Sequence, residues 1–132
     1  MKELPFTVTG TLSLRDLSGH DWILRYLDWD EAVPAEPQVI LTIEGNRVTG
    51  SSGCNHYFAD VTAGAPGELA VGPIGATRMA CPDDIMTLES RYLEGLSAAV
   101  KYSFIAGNLA LTSSLNGVHR TMLFEPGGPS IP

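Results

Sequence analysis

The residues best suited to chemistry in this chain begin with a cysteine and a histidine two positions apart. Cys54 and His56, followed by Asp60, could form the thiol, imidazole and carboxylate set that nucleophilic enzymes use. Side chains two apart on a strand share a face of the sheet but diverge from the hydrogen-bond contact that such a pair requires, and no residue is placed to orient the histidine. The sequence therefore predicts no catalytic residues, with a small hydrolase or thiol enzyme using Cys54 and His56 as the alternative.

The two cysteines, Cys54 and Cys81, favour a disulfide over a metal site or a redox centre. A structural zinc site needs four ligands, and His20, His56 and His119 do not stand at paired ligand spacing with the cysteines. A redox-active dithiol is disfavoured because there is no Cys-X-X-Cys. We predict a Cys54–Cys81 disulfide worth roughly 3–4 kcal/mol, with no metal and no cofactor. Two buried free cysteines are the alternative in a reducing compartment.

Arg78 is the second candidate for chemistry, in a short loop before a predicted helix. An arginine at such a place most often brackets the loop by donating to carbonyls or to a carboxylate, and Asp83 and Asp84 are close in the chain. Binding of an anion is the sharper alternative. The paired acids could suggest acid-base chemistry, but at a helix start their ordinary role is capping and dipole compensation.

Length and charge restrict what these residues can serve. At 132 residues the chain predicts a single domain, residues 1–132, with its core in residues 22–125 and a flexible Gly/Pro-rich tail in residues 126–132. A net charge of -7, from 15 acidic and 8 basic side chains without a basic cluster, argues against a nucleic-acid partner. No stretch is apolar for long enough to span a bilayer, and no signal peptide is visible, so we expect a soluble chain.

Alternating apolar residues predict strands along most of the chain. The first lies in residues 6–14, and Ser18-Gly19 marks a bend before a second in residues 21–29. Gly45-Asn46 links two strand-like runs as a hairpin, and the small residues before Cys54 suggest a bulge or close backbone approach on a strand that continues through residues 54–61. A short strand follows in residues 68–72, and Gly107-Asn108 and Asn116-Gly117 mark two further hairpins near the C-terminus.

One helix is predicted, over residues 83–99. It starts after Pro82, and its apolar stripe consists of Ile85, Leu88, Tyr92, Leu93, Leu96, Ala99 and Val100. About eight short strands with one helix do not form a βαβ series. The predicted fold class is therefore α+β, with a curved antiparallel sheet, a partly open barrel-like meander, packed on the helix.

Four stretches and one helical residue together resemble the META domain family, also called HslJ-like. They are residues 52–58 (SGCNHYF), 69–74 (LAVGPI), 76–82 (ATRMACP) and 109–112 (LALT), with Glu89 in the helix. The resemblance runs from about residue 22 to residue 125. It implies a small α+β domain found in bacterial envelope lipoproteins, associated with heat-shock induction and novobiocin resistance and without an established enzymatic activity.

The resemblance also implies a candidate binding surface near the two cysteines. It consists of Asn55, His56, Tyr57, Thr77, Arg78 and Met79. The domain is similar to pilot proteins of secretion systems, so a protein, peptide or acyl (lipid-like) ligand is expected, and a structural interaction module of a secretion or envelope assembly is an alternative. The chain starts without a leader or a lipobox cysteine. We therefore expect a mature or trimmed form in the periplasm or cell envelope, with a cytoplasmic location as the alternative.

Overall fold

The protein consists of nine strands and one helix over the residues that the computed structural model describes, 17–129, with side chains described up to residue 127. In chain order the elements are β1 His20–Tyr26, β2 Val39–Glu44, β3 Arg47–Ser52, β4 His56–Ala63, β5 Leu69–Val71, β6 Gly75–Ala76, α1 Asp83–Ser97, β7 Ala99–Ile105, β8 Asn108–Leu115 and β9 Val118–Pro129. The strand predicted in residues 6–14 lies outside the described residues. The second predicted strand ends earlier than expected, at Tyr26.

The strands form one antiparallel sheet that curls until its two ends nearly meet. Their order is β5-β4-β3-β2-β1-β9-β8-β7, and β6 pairs with β4. Glu68, next to β5, forms an isolated bridge with Lys101 of β7, and the Tyr102 amide donates to the Gly67 carbonyl at 2.9 Å. The predicted α+β class, with a curved antiparallel sheet and one helix, is confirmed.

The hairpin turns use residues that tolerate a left-handed backbone. Gly45 has φ 62°, and Asn116 and Gly117 have φ 53° and 80°. Because both central residues of a type I′ turn need positive φ, an Asn-Gly pair favours this reversal. The β7–β8 turn is formed by Ala106 and Gly107, one residue earlier than the predicted Gly107-Asn108 pair.

The helix buries one side against the sheet and ends two residues before the predicted limit. α1 begins at Asp83 and ends at Ser97, and Ala99 and Val100 belong to β7, where Val100 is exposed. Its buried residues are Leu88, Glu89, Tyr92 and Leu96. Within the described part of the chain, no helix has the length and hydrophobicity needed to cross a membrane.

A pair of tyrosines connects the helix to the inside of the sheet. The hydroxyl of Tyr57 on β4 donates to the Ile40 carbonyl at 2.9 Å and lies 2.6 Å from the hydroxyl of Tyr92 on α1. Since the single Tyr57 proton is used on Ile40, Tyr92 donates to Tyr57. Burial in the core raises the pKa of both phenols. Both are therefore neutral at physiological pH.

Gly50 on β3 leaves room for this arrangement. A Cβ atom on Gly50 would lie 1.9 Å from the Ile40 oxygen and 2.8 Å from the Tyr57 hydroxyl. Only glycine lets these atoms approach the β3 backbone so closely. The close backbone approach predicted for this small-residue segment is thus found at Gly50.

The first residues of the predicted tail continue β9. Pro126 pairs with Trp22 and Pro129 with His20, across a register shift between the two positions on β1. Residues 126–132 were predicted to be a flexible tail because they are rich in glycine and proline, and proline cannot donate to a ladder. The shift, and the absence of a β8 partner beyond Leu109 and Phe124, accommodate these prolines within the strand.

Candidate functional site

Residues 53–55 form a tight turn between β3 and β4, and do not continue a central strand as the sequence predicted. Gly53 has φ 112°, a conformation that side-chain-bearing residues rarely adopt. The Ser52 amide donates to the Asn55 carbonyl at 2.8 Å, which closes the turn. Cys54 is therefore presented at the tip of a fixed reversal.

A disulfide joins this turn to the entrance of the helix. Cys54 and Cys81 are bonded, with their Cα atoms 6.0 Å apart, and the chain has no free cysteine. The predicted disulfide is confirmed, and the alternative of two free thiols is not. In this state Cys54 has no thiol to ionise, and His56 lies exposed on the outer face of β4.

Glu89, a buried glutamate on α1, holds the turn through hydrogen bonds. One carboxylate oxygen of Glu89 accepts from the Ser52 hydroxyl at 2.6 Å and from the Asn55 amide at 2.8 Å. The other accepts from the Asn55 side-chain nitrogen at 2.8 Å. Burial raises the pKa of Glu89, but the hydrogen bonds from Ser52, Asn55 and the Cys54 backbone outweigh it, so the pKa lies below its ordinary value. Glu89 is therefore a buried carboxylate anion.

Asn55 connects this carboxylate to the loop that precedes the helix. Its side-chain nitrogen also donates to the Met79 carbonyl at 3.2 Å, and its oxygen accepts from the Thr77 hydroxyl at 2.9 Å and the Met79 amide at 2.6 Å. Thr77 in turn accepts from the His56 amide at 3.1 Å. We call this connected set the clasp: Ser52, Cys54, Asn55, Thr77, Met79, Cys81 and Glu89. Its polar groups are used in holding two loops and a helix together.

The residues of the predicted binding surface divide into two groups. Asn55 and Tyr57 are each only 2% exposed, one inside the clasp and the other in the core. His56, Thr77, Arg78 and Met79 are exposed. The guanidinium of Arg78 makes no hydrogen bond or ion pair with any residue between 17 and 129, so the bracketing contacts predicted for it are absent there.

An open groove of about 400 Å³ lies beside the clasp, between the segment 74–80 and α1. We call it the clasp groove. Its lining consists of Asn55, Ile74, Ala76, Thr77, Arg78, Met79, Ala80, Met86 and Glu89. Met79 is 54% exposed, and its backbone is fixed by the hydrogen bonds with Asn55. The groove therefore combines apolar walls with the guanidinium of Arg78, which has no partner in the described part of the chain.

Nothing in residues 17–129 resembles a metal centre. No three His, Cys, Asp or Glu side chains come together in this range in a way that could hold an ion. Asp83 and Asp84 occupy the exposed first turn of α1, where negative charge compensates the helix dipole.

Sequence reasoning missed the roles of Ser52 and Glu89. Glu89 entered only as part of the family resemblance, and a glutamate on a helix is usually solvated. One signal was present: Glu89 stands next to Leu88 and three residues before Tyr92, inside the apolar stripe. A charged residue within such a stripe predicts a buried partner for it.

Comparisons with known proteins agree with the fold. A sequence model of the family described as META domain matches residues 15–126. An NMR structure of a protein from Burkholderia xenovorans is 24% identical, covers 86% of this chain and 85% of its own, and superposes with a TM-score of 0.64. A second NMR structure is 19% identical, with coverages of 87% and 95% and a TM-score of 0.66. At these identities the two structures establish the fold alone, and no curated protein matches significantly. From the extent of the family match, the chain belongs to the META domain family.

Proposed function

We propose that the protein is a non-enzymatic, envelope-associated domain that binds a peptide, protein or lipid-like ligand at the surface fixed by the clasp. One observation carries this proposal. Cys54 and Glu89 are occupied by contacts inside the protein, while the neighbouring Arg78 and Met79 are exposed. Cys54 is in a disulfide, and Glu89 accepts hydrogen bonds on both oxygens. Arg78 and Met79, in the same loop, line the clasp groove.

The disulfide supports an envelope location. Structural disulfides form and persist in oxidising compartments, such as the bacterial periplasm, and are rare in the cytosol. The META domain family is associated with the cell envelope and with stress responses. A binding role in the periplasm or envelope is consistent with both.

Rigidity supports binding over catalysis. The loop that carries Arg78 is tied by the Asn55 side chain on one side and by the Cys54–Cys81 disulfide on the other. A loop held in this way loses little conformational entropy when a ligand binds. Exposed apolar and cationic side chains on a fixed loop are typical of recognition surfaces.

Backbone NMR shifts of the oxidised protein would test the proposal against a panel of short peptides and a fatty acid. We expect at least one ligand to shift the backbone signals of His56, Thr77, Arg78 and Met79 together. Met79→Ala should weaken that binding, whereas Leu115→Ala, an exposed apolar control on β8, should not. The proposal would be contradicted if no signal from a residue of the clasp groove shifts with any ligand. It would also be contradicted if the protein shows measurable turnover only when Cys54 is reduced.

A further inference from the structure

We propose that the ligand of the clasp groove is an extended peptide segment that adds to the outer edge of β6 and places a carboxylate on Arg78. This inference rests on the proposed function and specifies the ligand and its mode of binding. Three features carry it: a strand edge and an arginine that are each unpaired as far as residues 17–129 show, and flexible apolar walls.

The unpaired edge belongs to β6. This strand pairs only with β4 among the described residues, with Ala76 opposite Tyr57 and Gly75 opposite Phe58. The Thr77 amide donates to the His56 carbonyl at 3.0 Å, so Thr77 faces β4. Backbone groups alternate in direction along an antiparallel strand. The N–H and C=O of Ala76 therefore point away from β4, toward the groove that Ala76 lines.

β6 is also held firmly enough to act as a template. The ring of Phe58 packs directly over Gly75, where an added Cβ would lie 2.6 Å from the ring carbon Cζ. The Arg47 guanidinium covers the same ring at 4.9 Å from its centroid. One face of β6 is thus closed by Phe58, and its next residue, Thr77, is fixed by the clasp. An exposed, fixed strand edge favours pairing with another extended segment.

The charges of the groove select an acidic segment. Arg78 and Glu89 are its two charged lining residues, and both Glu89 oxygens already accept hydrogen bonds. Arg78 has no partner among residues 17–129. Since a guanidinium binds a carboxylate through paired donors, a carboxylate is the group that complements it. On a chain of net charge -7, this guanidinium gives the groove a local positive charge.

The apolar walls suit side chains that flank the carboxylate. Ile74 and Met79 line one part of the groove and Met86 of α1 another. Methionine side chains adapt to ligands of different shape because they are unbranched and polarisable. A volume of about 400 Å³ is within the range of small-ligand sites and suits a short segment.

A peptide fits better than an acyl chain because of Ala76. A hydrocarbon laid along β6 would remove the Ala76 N–H and C=O from water without replacing their hydrogen bonds, which is unfavourable. A peptide backbone supplies both an acceptor and a donor at this position. The geometry therefore points to strand addition.

The test uses an acetylated, amidated Val-Thr-Val-Asp peptide and two analogues, each methylated on the backbone nitrogen of one of two adjacent residues. Adjacent N–H groups of a strand point in opposite directions. We expect one analogue to bind at least tenfold more weakly and the other within about twofold of the parent. The Asp-to-Asn peptide and the Arg78→Gln protein should each weaken binding by a similar factor, and Arg120→Gln, an exposed arginine on β9, should not.

The outcomes separate this inference from the proposed function. Equal binding of both methylated analogues would overturn strand addition, and unchanged binding by Arg78→Gln would overturn the carboxylate contact. Either result would leave a ligand-binding groove. Strand addition would also be overturned, in favour of a lipid-like ligand, if decanoate shifts the NMR signals of Thr77 and Met79 and no peptide binds. If neither the peptides nor decanoate shift the NMR signals of these residues, the proposed function at this surface fails as well.

Discussion

Asn55 and Glu89 are joined by two hydrogen bonds of 2.8 Å, one from the Asn55 backbone amide and one from its side-chain nitrogen, each to a different carboxylate oxygen. The turn after β3 is thereby fixed to the middle of α1. Because the same asparagine also holds Met79, the position of the groove-lining loop depends on a carboxylate inside the protein.

Glu89→Gln should destabilise the protein by about 1–3 kcal/mol, since an amide nitrogen would face at least one donor and leave it unsatisfied. Urea denaturation at neutral pH measures this change in the free energy of unfolding. Glu94→Gln, an exposed site one turn further along the helix, should change it by less than about 0.5 kcal/mol. Equal effects at both positions would contradict the structural role of Glu89.

The stability should fall in acid partly through Glu89. Its pKa in the folded protein lies below its ordinary value of 4.5, so the unfolded state takes up the proton first as the pH decreases. The contribution is present above pH 4.5 and is lost as the pH falls through the folded pKa. Unfolding free energies between pH 6 and pH 3 should decline less steeply for Glu89→Gln than for wild type. The comparison belongs in a Glu31→Gln background, because the hydrogen bond with Arg91 also lowers the pKa of Glu31.

Loss of the disulfide should cost about 3–4 kcal/mol of unfolding free energy, chiefly because the unfolded chain gains freedom. The measurement compares urea unfolding of the wild type with that of a Cys54→Ala/Cys81→Ala variant. Mass spectrometry after alkylation checks the premise: the native, unreduced protein should take up no reagent. Modification of both cysteines without a reductant would show that the bond is absent in solution.

Gly50→Ala should destabilise the protein by at least about 3 kcal/mol, since a Cβ at 1.9 Å from the Ile40 oxygen forces the backbone to move. Gly72→Ala is the matched control, because its Cβ would meet nothing closer than the Asp60 oxygen at 3.5 Å. Thermal unfolding of the two variants should differ clearly. A similar melting temperature for both would refute the close approach at Gly50.

Tyr57→Phe should lower the free energy of unfolding by about 1–3 kcal/mol, because Tyr92 loses its acceptor and Ile40 its hydroxyl donor. Tyr26→Phe, at a position that is 37% exposed, is the control. The pKa of Tyr57 in the folded protein is raised above its ordinary value of 10.0. The resulting contribution to stability is present below pH 10.0 and is lost as the pH rises above that value. The variant should therefore lose less stability than wild type between pH 9 and pH 11.

Local rules sufficed for the parts of the fold that depend on neighbouring residues. Asn116-Gly117 predicted a hairpin because both positions of the turn need positive φ. The stripe of Leu88, Tyr92 and Leu96 predicted the helix because residues at this spacing share one face. The disulfide followed from cysteine count and the lack of other ligands.

The rest depended on contacts between distant segments. Residues 53–55 look like a strand with a bulge until the positive φ of Gly53 and the hydrogen bond from Asn55 to Glu89 are known. Arg78 has the acidic residues Asp83 and Asp84 near it in sequence. Both lie in the first turn of the helix, and neither pairs with Arg78, which has no partner within the described residues. Sequence spacing cannot reveal such choices because they are made by packing between segments.

The pairing of β1 with β9 also dictates when the sheet can be completed. Leu24 lies opposite Phe124, and Arg25 forms an ion pair with Glu125 at 3.0 Å, across a hundred residues of chain. During synthesis β1 lacks this neighbour until β9 has left the ribosome. Such long-range pairing slows folding and leaves strand edges unprotected in the meantime. The native sheet can therefore be completed only after the residues of β9 have been translated.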